Sequence, residues 1–117
     1  MKVQKEDGFP RVICLCGSTR FTMEMLIIKW ELAKQGNLVL SWHALPESYA
    51  EDPHVADTEG VRDIIDELHK RKIDIADEVL VLNINGYIGD STRSEIAYAK
   101  KNGVPVRYFE PTRQAAK

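Results

Sequence analysis

The run Val79-Leu80-Val81-Leu82, followed by Asn83 to Tyr98 (NINGYIGDSTRSEIAY), constrains this chain more than any other stretch. An apolar run rich in β-branched residues, with no polar alternation, predicts a strand covered on both faces, as inside a parallel sheet. Gly86 and Gly89 then mark a loop, and Asp90, Ser91 and Thr92 supply successive N-cap candidates for a helix. Strand, glycine-bearing turn and helix N-terminus in that order bring unpaired amides and the positive helix end to one place, which suits an anion. Glu95 falls in the first turn of the predicted helix. Function turns on what its carboxylate faces.

The flanking sequence supplies the other units of an alternating α/β chain. Arg11 to Cys16 (RVICLC) reads as the first strand, and Gly17-Ser18-Thr19-Arg20 as its exit turn. From Phe21 to Gln35 the residues Phe21, Met25, Ile28 and Leu32 recur at helical spacing, and Gly36 sits where a helix stops. Leu26, Ile27 and Trp30 widen that stripe, which suggests cover by a second subunit. Asn37 to Ser41 is a short second strand. Trp42 to Glu59 has no period and carries Pro46, Pro53, Trp42, His43 and His54; a connection that long in a small domain is commonly functional. Gly60 precedes an amphipathic helix over Val61 to Ala76, with Val61, Ile64, Ile65, Leu68 and Ile75 facing inward and Asp66–Lys70 and Glu67–Arg71 as i,i+4 pairs outside. The last helix reaches about Asn102, Gly103 ends it, and Val104 to Phe109 is the fourth strand. Residues 1–9 and 111–117 read as frayed.

Strands alternating with helices predict a three-layer Rossmann-like, flavodoxin-like α/β domain spanning residues 1–117. Its parallel sheet of four or five strands would run in the order 2-1-3-4. The switch point then lies between strands one and three, where the Gly17–Arg20 turn and the Gly86–Glu95 loop converge. At 117 residues and 44% hydrophobic the chain suffices for one core. Its 16 basic and 18 acidic residues are evenly spread, giving −2, which excludes a nucleic-acid-binding stripe; any nucleotide partner is expected to be small. No apolar run reaches the length of a membrane span, and Met1 to Gly8 is polar. Cys14 and Cys16, two apart on a strand, share a face and are poorly placed to bridge, so a reduced, cytoplasmic protein is expected. A CxC metal clip would need further ligands, and no third cysteine exists. No cofactor and no metal are expected.

Each candidate site residue has a structural and a chemical reading. Gly17, Ser18, Thr19 and Arg20 either cradle a phosphate or form a capped turn. Thr92 and Glu95 have capping-box spacing, in which the acid only returns a hydrogen bond to the helix start; facing a pocket, the same carboxylate would be a nucleophile or cation stabiliser. His69 is either a satisfied structural histidine at the edge of the buried face or a proton donor to the crevice. His43 has the same choice, with Trp42 available to stack on a base. Gly89, Asp90, Ser91 and Thr92 either cap the helix or contact phosphate and sugar.

Cys16-Gly17-Ser18-Thr19-Arg20, Ile73-Asp74-Ile75-Ala76-Asp77, Thr92-Arg93-Ser94-Glu95-Ile96-Ala97-Tyr98-Ala99 and Gly103-Val104-Pro105-Val106, in that order, resemble the nucleoside 2-deoxyribosyltransferase family and the related deoxynucleoside 5′-monophosphate N-glycosidases. The resemblance covers most of the chain. It implies that Glu95 is the nucleophile at the sugar's anomeric carbon, that Gly17 to Arg20 hold the 5′ end, and that homodimers complete each other's sites. The chain departs from the pattern at Cys14, where the N-glycosidases carry a tyrosine, at His69, where they carry an aspartate, and at Gly89, where they carry a serine that Ser91 would replace. The expected function is cleavage or transfer at the N-glycosidic bond of a nucleoside or its 5′-monophosphate, with His69 or Asp90 handling the proton or contacting the sugar. The alternative is a non-catalytic nucleotide-binding module with the same crevice.

Overall fold

A computed structural model describes residues 5–46 and 55–112. The strands β1 (Val12–Cys16), β2 (Leu38–Leu40), β3 (Glu78–Val81) and β4 (Val106–Tyr108) form one all-parallel sheet in the order β2-β1-β3-β4. The helices are α1 (Thr22–Lys34), the single turn α2 (Val55–Thr58), α3 (Arg62–Ile75) and α4 (Asp90–Lys101). The chain is therefore Rossmann-like, with the predicted strand order. α2 lies within the segment that showed no period, and His54 and Pro53 fall outside the described residues.

Right-handed crossovers explain the two layers. β1 to β2 moves one way across the sheet, so α1 covers one face; β2 to β3 and β3 to β4 move the other way, so α3 and α4 share the opposite face. The two packed clusters follow that division. Ile13, Leu15, Leu80 and Leu82 meet Met25 on the α1 side, whereas Cys14, Cys16, Val79 and Val81 meet Ile73, Ile96 and Ala99 on the other. Period-2 alternation along β1 thus turns both cysteines toward α3 and α4.

Glycines end the helices as expected: Gly36 (φ 93°) follows α1 and Gly103 (φ 74°) follows α4, each in the left-handed region. The stripe of Phe21, Met25, Ile28 and Leu32 does pack inward. The α3 stripe does not. Ile64, Leu68 and Ile75 are exposed, and His69 and Ile73 are the buried residues of this helix. The helix is rotated about one residue from the periodicity reading because His69 and Ala76, which carry little apolar weight, lie on the packed side.

The described part of the leader contacts the sheet. Lys5 pairs with Asp77 at 2.8 Å, and the same carboxylate accepts the Val12 N–H at 2.7 Å. Glu78 is buried at the N-terminal edge of β3 and is held by Arg11 (2.6 Å) and Arg107. Both arginines hold its carboxyl below the usual range against the opposing effect of burial. Tyr98 donates to Asp74 at 2.6 Å and accepts from Arg71 at 2.8 Å, tying α4 to α3. The predicted Glu67–Arg71 pair forms at 3.5 Å.

Candidate functional site

The two glycine loops meet as the strand order requires. The Arg20 guanidinium lies 3.8 Å from the Tyr87 ring centroid, and Phe21 meets that ring edge-on at 6.0 Å. The first loop is a 3-10 turn, Thr19–Phe21, in which Ser18 Oγ accepts the Arg20 N–H at 3.2 Å and the Thr22 hydroxyl donates to the Thr19 carbonyl at 2.7 Å. The capped-turn reading is therefore realised; Thr19 and Arg20 remain exposed. Gly17 has a packing reason: a Cβ there would sit 3.1 Å from the Trp42 ring and 3.2 Å from Leu82 Cβ. Trp42 is itself fixed, donating Nε1–H to Thr22 Oγ1 at 3.0 Å. It belongs to the α1-side core and is not free to stack on a base, as the sequence reading had it. His43 is exposed beyond it, its pKa lowered by partial burial and by Lys72 and His69.

α4 starts earlier than the cap candidates suggested. Gly89 is the N-cap, extended at φ −81° and ψ 175°, with no side-chain cap bond, and its carbonyl accepts the Arg93 N–H at 2.9 Å. Asp90, Ser91 and Thr92 are the first three helical residues; Asp90 and Ser91 are exposed and Thr92 is buried. Acidic Asp90 in the first turn suits the helix dipole. The consequence for Glu95 is decisive. It stands in the second turn, past any capping-box position, and its carboxylate turns inward to His69.

Glu95 Oε1 lies 3.7 Å from His69 Nε2, with the Glu95 side chain 16% exposed and that of His69 7%. Behind them, Cys16 Sγ is 3.3 Å and Cys14 Sγ 3.8 Å from the same imidazole nitrogen. Burial raises the Glu95 pKa from 4.5 to about 6, against the opposing pull of His69. Burial alone would lower the pKa of His69, but the Cys14 hydrogen bond and the Glu95 charge outweigh it and raise it. The paired thiols split: Cys16 lowers Cys14 by hydrogen bonding, while Cys14 and burial raise Cys16. His69 is thus central to the buried face of α3, not at its edge.

Periodicity missed Cys14 and Cys16 as members of this group. The available signal was their shared strand face; what was lacking was the rotation of α3 that sets His69 against them. Two surface depressions, of about 230 Å³ at Ala56, Gly60 and Arg62 and about 400 Å³ at Ile27, Leu32, Leu80 and Tyr108, do not include Glu95.

Fold and site together define a Rossmann-like parallel α/β domain with a largely buried carboxylate–imidazole–thiol group toward the C-terminal end of β1. No family model matches the chain, nor does any curated protein or solved structure. Among the described residues no helix is long and apolar enough to cross a membrane.

Proposed function

We propose that this chain cleaves or transfers the N-glycosidic bond of a nucleoside or nucleoside 5′-monophosphate, with Glu95 as nucleophile. The observation that carries the reading is the Glu95 carboxylate, freed from helix capping, partly open to solvent and backed by His69. Glu95 attacks the anomeric carbon as the base departs through an oxocarbenium-like transition state, the base keeping the bonding pair and taking a proton from solvent; water or a second base then takes the glycosyl group from the ester and frees the carboxylate. With a pKa of about 6 the carboxylate is mostly ionised at neutral pH. His69 is too enclosed to reach a departing base, so its part is to attract and orient Glu95. Arg20, Thr19 and the amide edge at Asp90 and Ser91 seat the 5′-phosphate. The low exposure of the Glu95 side chain, 16%, favours a second reading, in which the chain binds a nucleotide without turnover.

A thermal-shift panel of nucleosides and 5′-monophosphates, each hit followed by chromatography for free base, tests both. Stabilisation with base release is expected. Stabilisation without it selects the binding module, and no shift with any compound overturns both.

The working unit is a homodimer in a reducing, cytoplasmic setting, consistent with two buried free cysteines. Met23, Leu26, Ile27 and Trp30 are exposed at helical spacing on α1, the one long helix over its face of the sheet among the described residues. An apolar row of that kind suits a partner helix. Light scattering should give twice the chain mass, and Trp30→Lys should return it to one; a wild-type monomer at high concentration would remove the dimer.

A further inference from the structure

We propose that Cys14, Cys16 and His69, with Glu95 as the fourth donor, form a tetrahedral site for a soft divalent cation, zinc above all. The inference does not rest on the N-glycosidic reading and competes with it for Glu95: while that carboxylate holds the ion it cannot attack a sugar. All three of Cys14, Cys16 and His69 are buried, and their donor atoms lie within 4.8 Å of one another. Glu95 Oε1 lies 3.7 Å from His69 Nε2 but outside that close group, so its carboxylate must swing inward to serve as the fourth donor. Zinc held at about 2.3 Å by sulfur and about 2.0 Å by nitrogen or oxygen sets sulfur and nitrogen about 3.5 Å apart on the edges of its tetrahedron. The separations of 3.3 and 3.8 Å straddle that value, so each sulfur needs to shift by only a few tenths of an ångström relative to the imidazole nitrogen.

The donors come from three packed elements. β1 presents both sulfurs on one face, α3 supplies the imidazole and α4 the carboxylate. Such placement keeps a first shell in shape before the ion arrives. Two thiols, an imidazole and a carboxylate enclosed together make poor partners for one another, since thiols are weak donors and weak acceptors. A cation would satisfy all four at once. A disulfide is the weaker alternative: residues two apart on a strand have Cα atoms about 6.6 Å apart, at the long limit for a bridge. β1 is also hydrogen-bonded to β2 and β3 on both edges and cannot pucker to shorten that span. Thiolate and imidazole together select zinc over magnesium or calcium, which prefer all-oxygen shells. On binding, each thiol gives up its proton to solvent, and two sulfur–metal bonds replace the two S–H bonds.

Cobalt(II) is the probe. Titrated anaerobically into the reduced chain, it should give intense tetrahedral visible bands and a thiolate-to-cobalt charge-transfer band that saturate at one equivalent and vanish when one equivalent of zinc is added. Cys14→Ser and Cys16→Ser should each remove much of the charge-transfer band, and the double variant all of it. Glu95→Gln, which keeps three ligands, should weaken binding roughly 10-fold. Circular dichroism checks each variant's fold, and the wild-type spectrum decides even if the variants misfold. Absence of the bands from the wild type, or their survival in a folded double cysteine variant, overturns the site. Base release is read separately: its presence without cobalt bands sinks only the metal site, and bands without base release sink only the glycosidic reading.

Discussion

Glu95→Gln is expected to lower base release by roughly 10³-fold or more while making the protein more heat-stable at neutral pH. The first effect follows from removing a nucleophile that an amide cannot replace. The second follows from what burial does to the carboxylate. Its pKa rises from 4.5 to about 6 in the folded chain, so the folded state holds the proton more tightly than the unfolded one. The contribution of Glu95 to stability is therefore fullest below pH 4.5, falls as pH rises through 4.5 to 6, and stays low above. That rise is worth about 2 kcal/mol. Glutamine cannot ionise, so the gain of the variant over the wild type should be near zero at pH 4 and approach about 2 kcal/mol at pH 7.5, up to about 8 °C in a domain of this size. Taking the difference between variant and wild type cancels the acid sensitivity of Asp77 and Glu78, whose pKa values are lowered by their cationic partners. Melting curves at several pH values, run beside the chromatographic assay, measure both. A variant that keeps full turnover would end the role of Glu95 as nucleophile. One that is less stable than the wild type at pH 7.5 would mean that the carboxylate is a net structural tie, as in a capping box.

The parallel sheet was legible because each of its signals is local. Apolar runs at β1 and β3, glycines at 36 and 103, and alternation of strand with helix leave little choice of topology once crossovers are right-handed. The convergence of the Gly17 and Gly86 loops followed from that topology, and the stacking of Arg20 on Tyr87 is its outcome. What could not be read was whatever depends on side chains meeting from distant elements. Cys16 and His69 are 53 residues apart in sequence, and nothing in the spacing of either predicts the other. The start of α4 was misplaced for a different reason. Asp90, Ser91 and Thr92 all have cap-forming side chains, whereas Gly89 caps by backbone conformation alone. The observed start removes the capping-box reading of Glu95, which spacing had left open beside the catalytic one.

The phase of α3 has the same standing for the site as the start of α4, and a pair of substitutions reads it. Ile73→Ala should cost about 2–5 kcal/mol, because Ile73 is wholly buried against Val79, Val81 and Ala99 and its loss leaves a cavity. Leu68→Ala should change stability by less than about 0.5 kcal/mol in dilute solution, since Leu68 is 48% exposed and alanine is at least as good a helix former. Sequence periodicity orders the two the other way, with Leu68 inward. His69 and Ile73 are one turn apart on a single helical face, so the rotation that seals Ile73 into the core is the one that brings the imidazole beneath Glu95. Denaturant unfolding of the two variants, compared at equal slope, reads that rotation directly. If Leu68→Ala proved the costly change and Ile73→Ala the mild one, α3 would be turned by about 100°. His69 would then leave both Glu95 and the cysteines, and neither the glycosidic reading nor the metal site would keep its second partner.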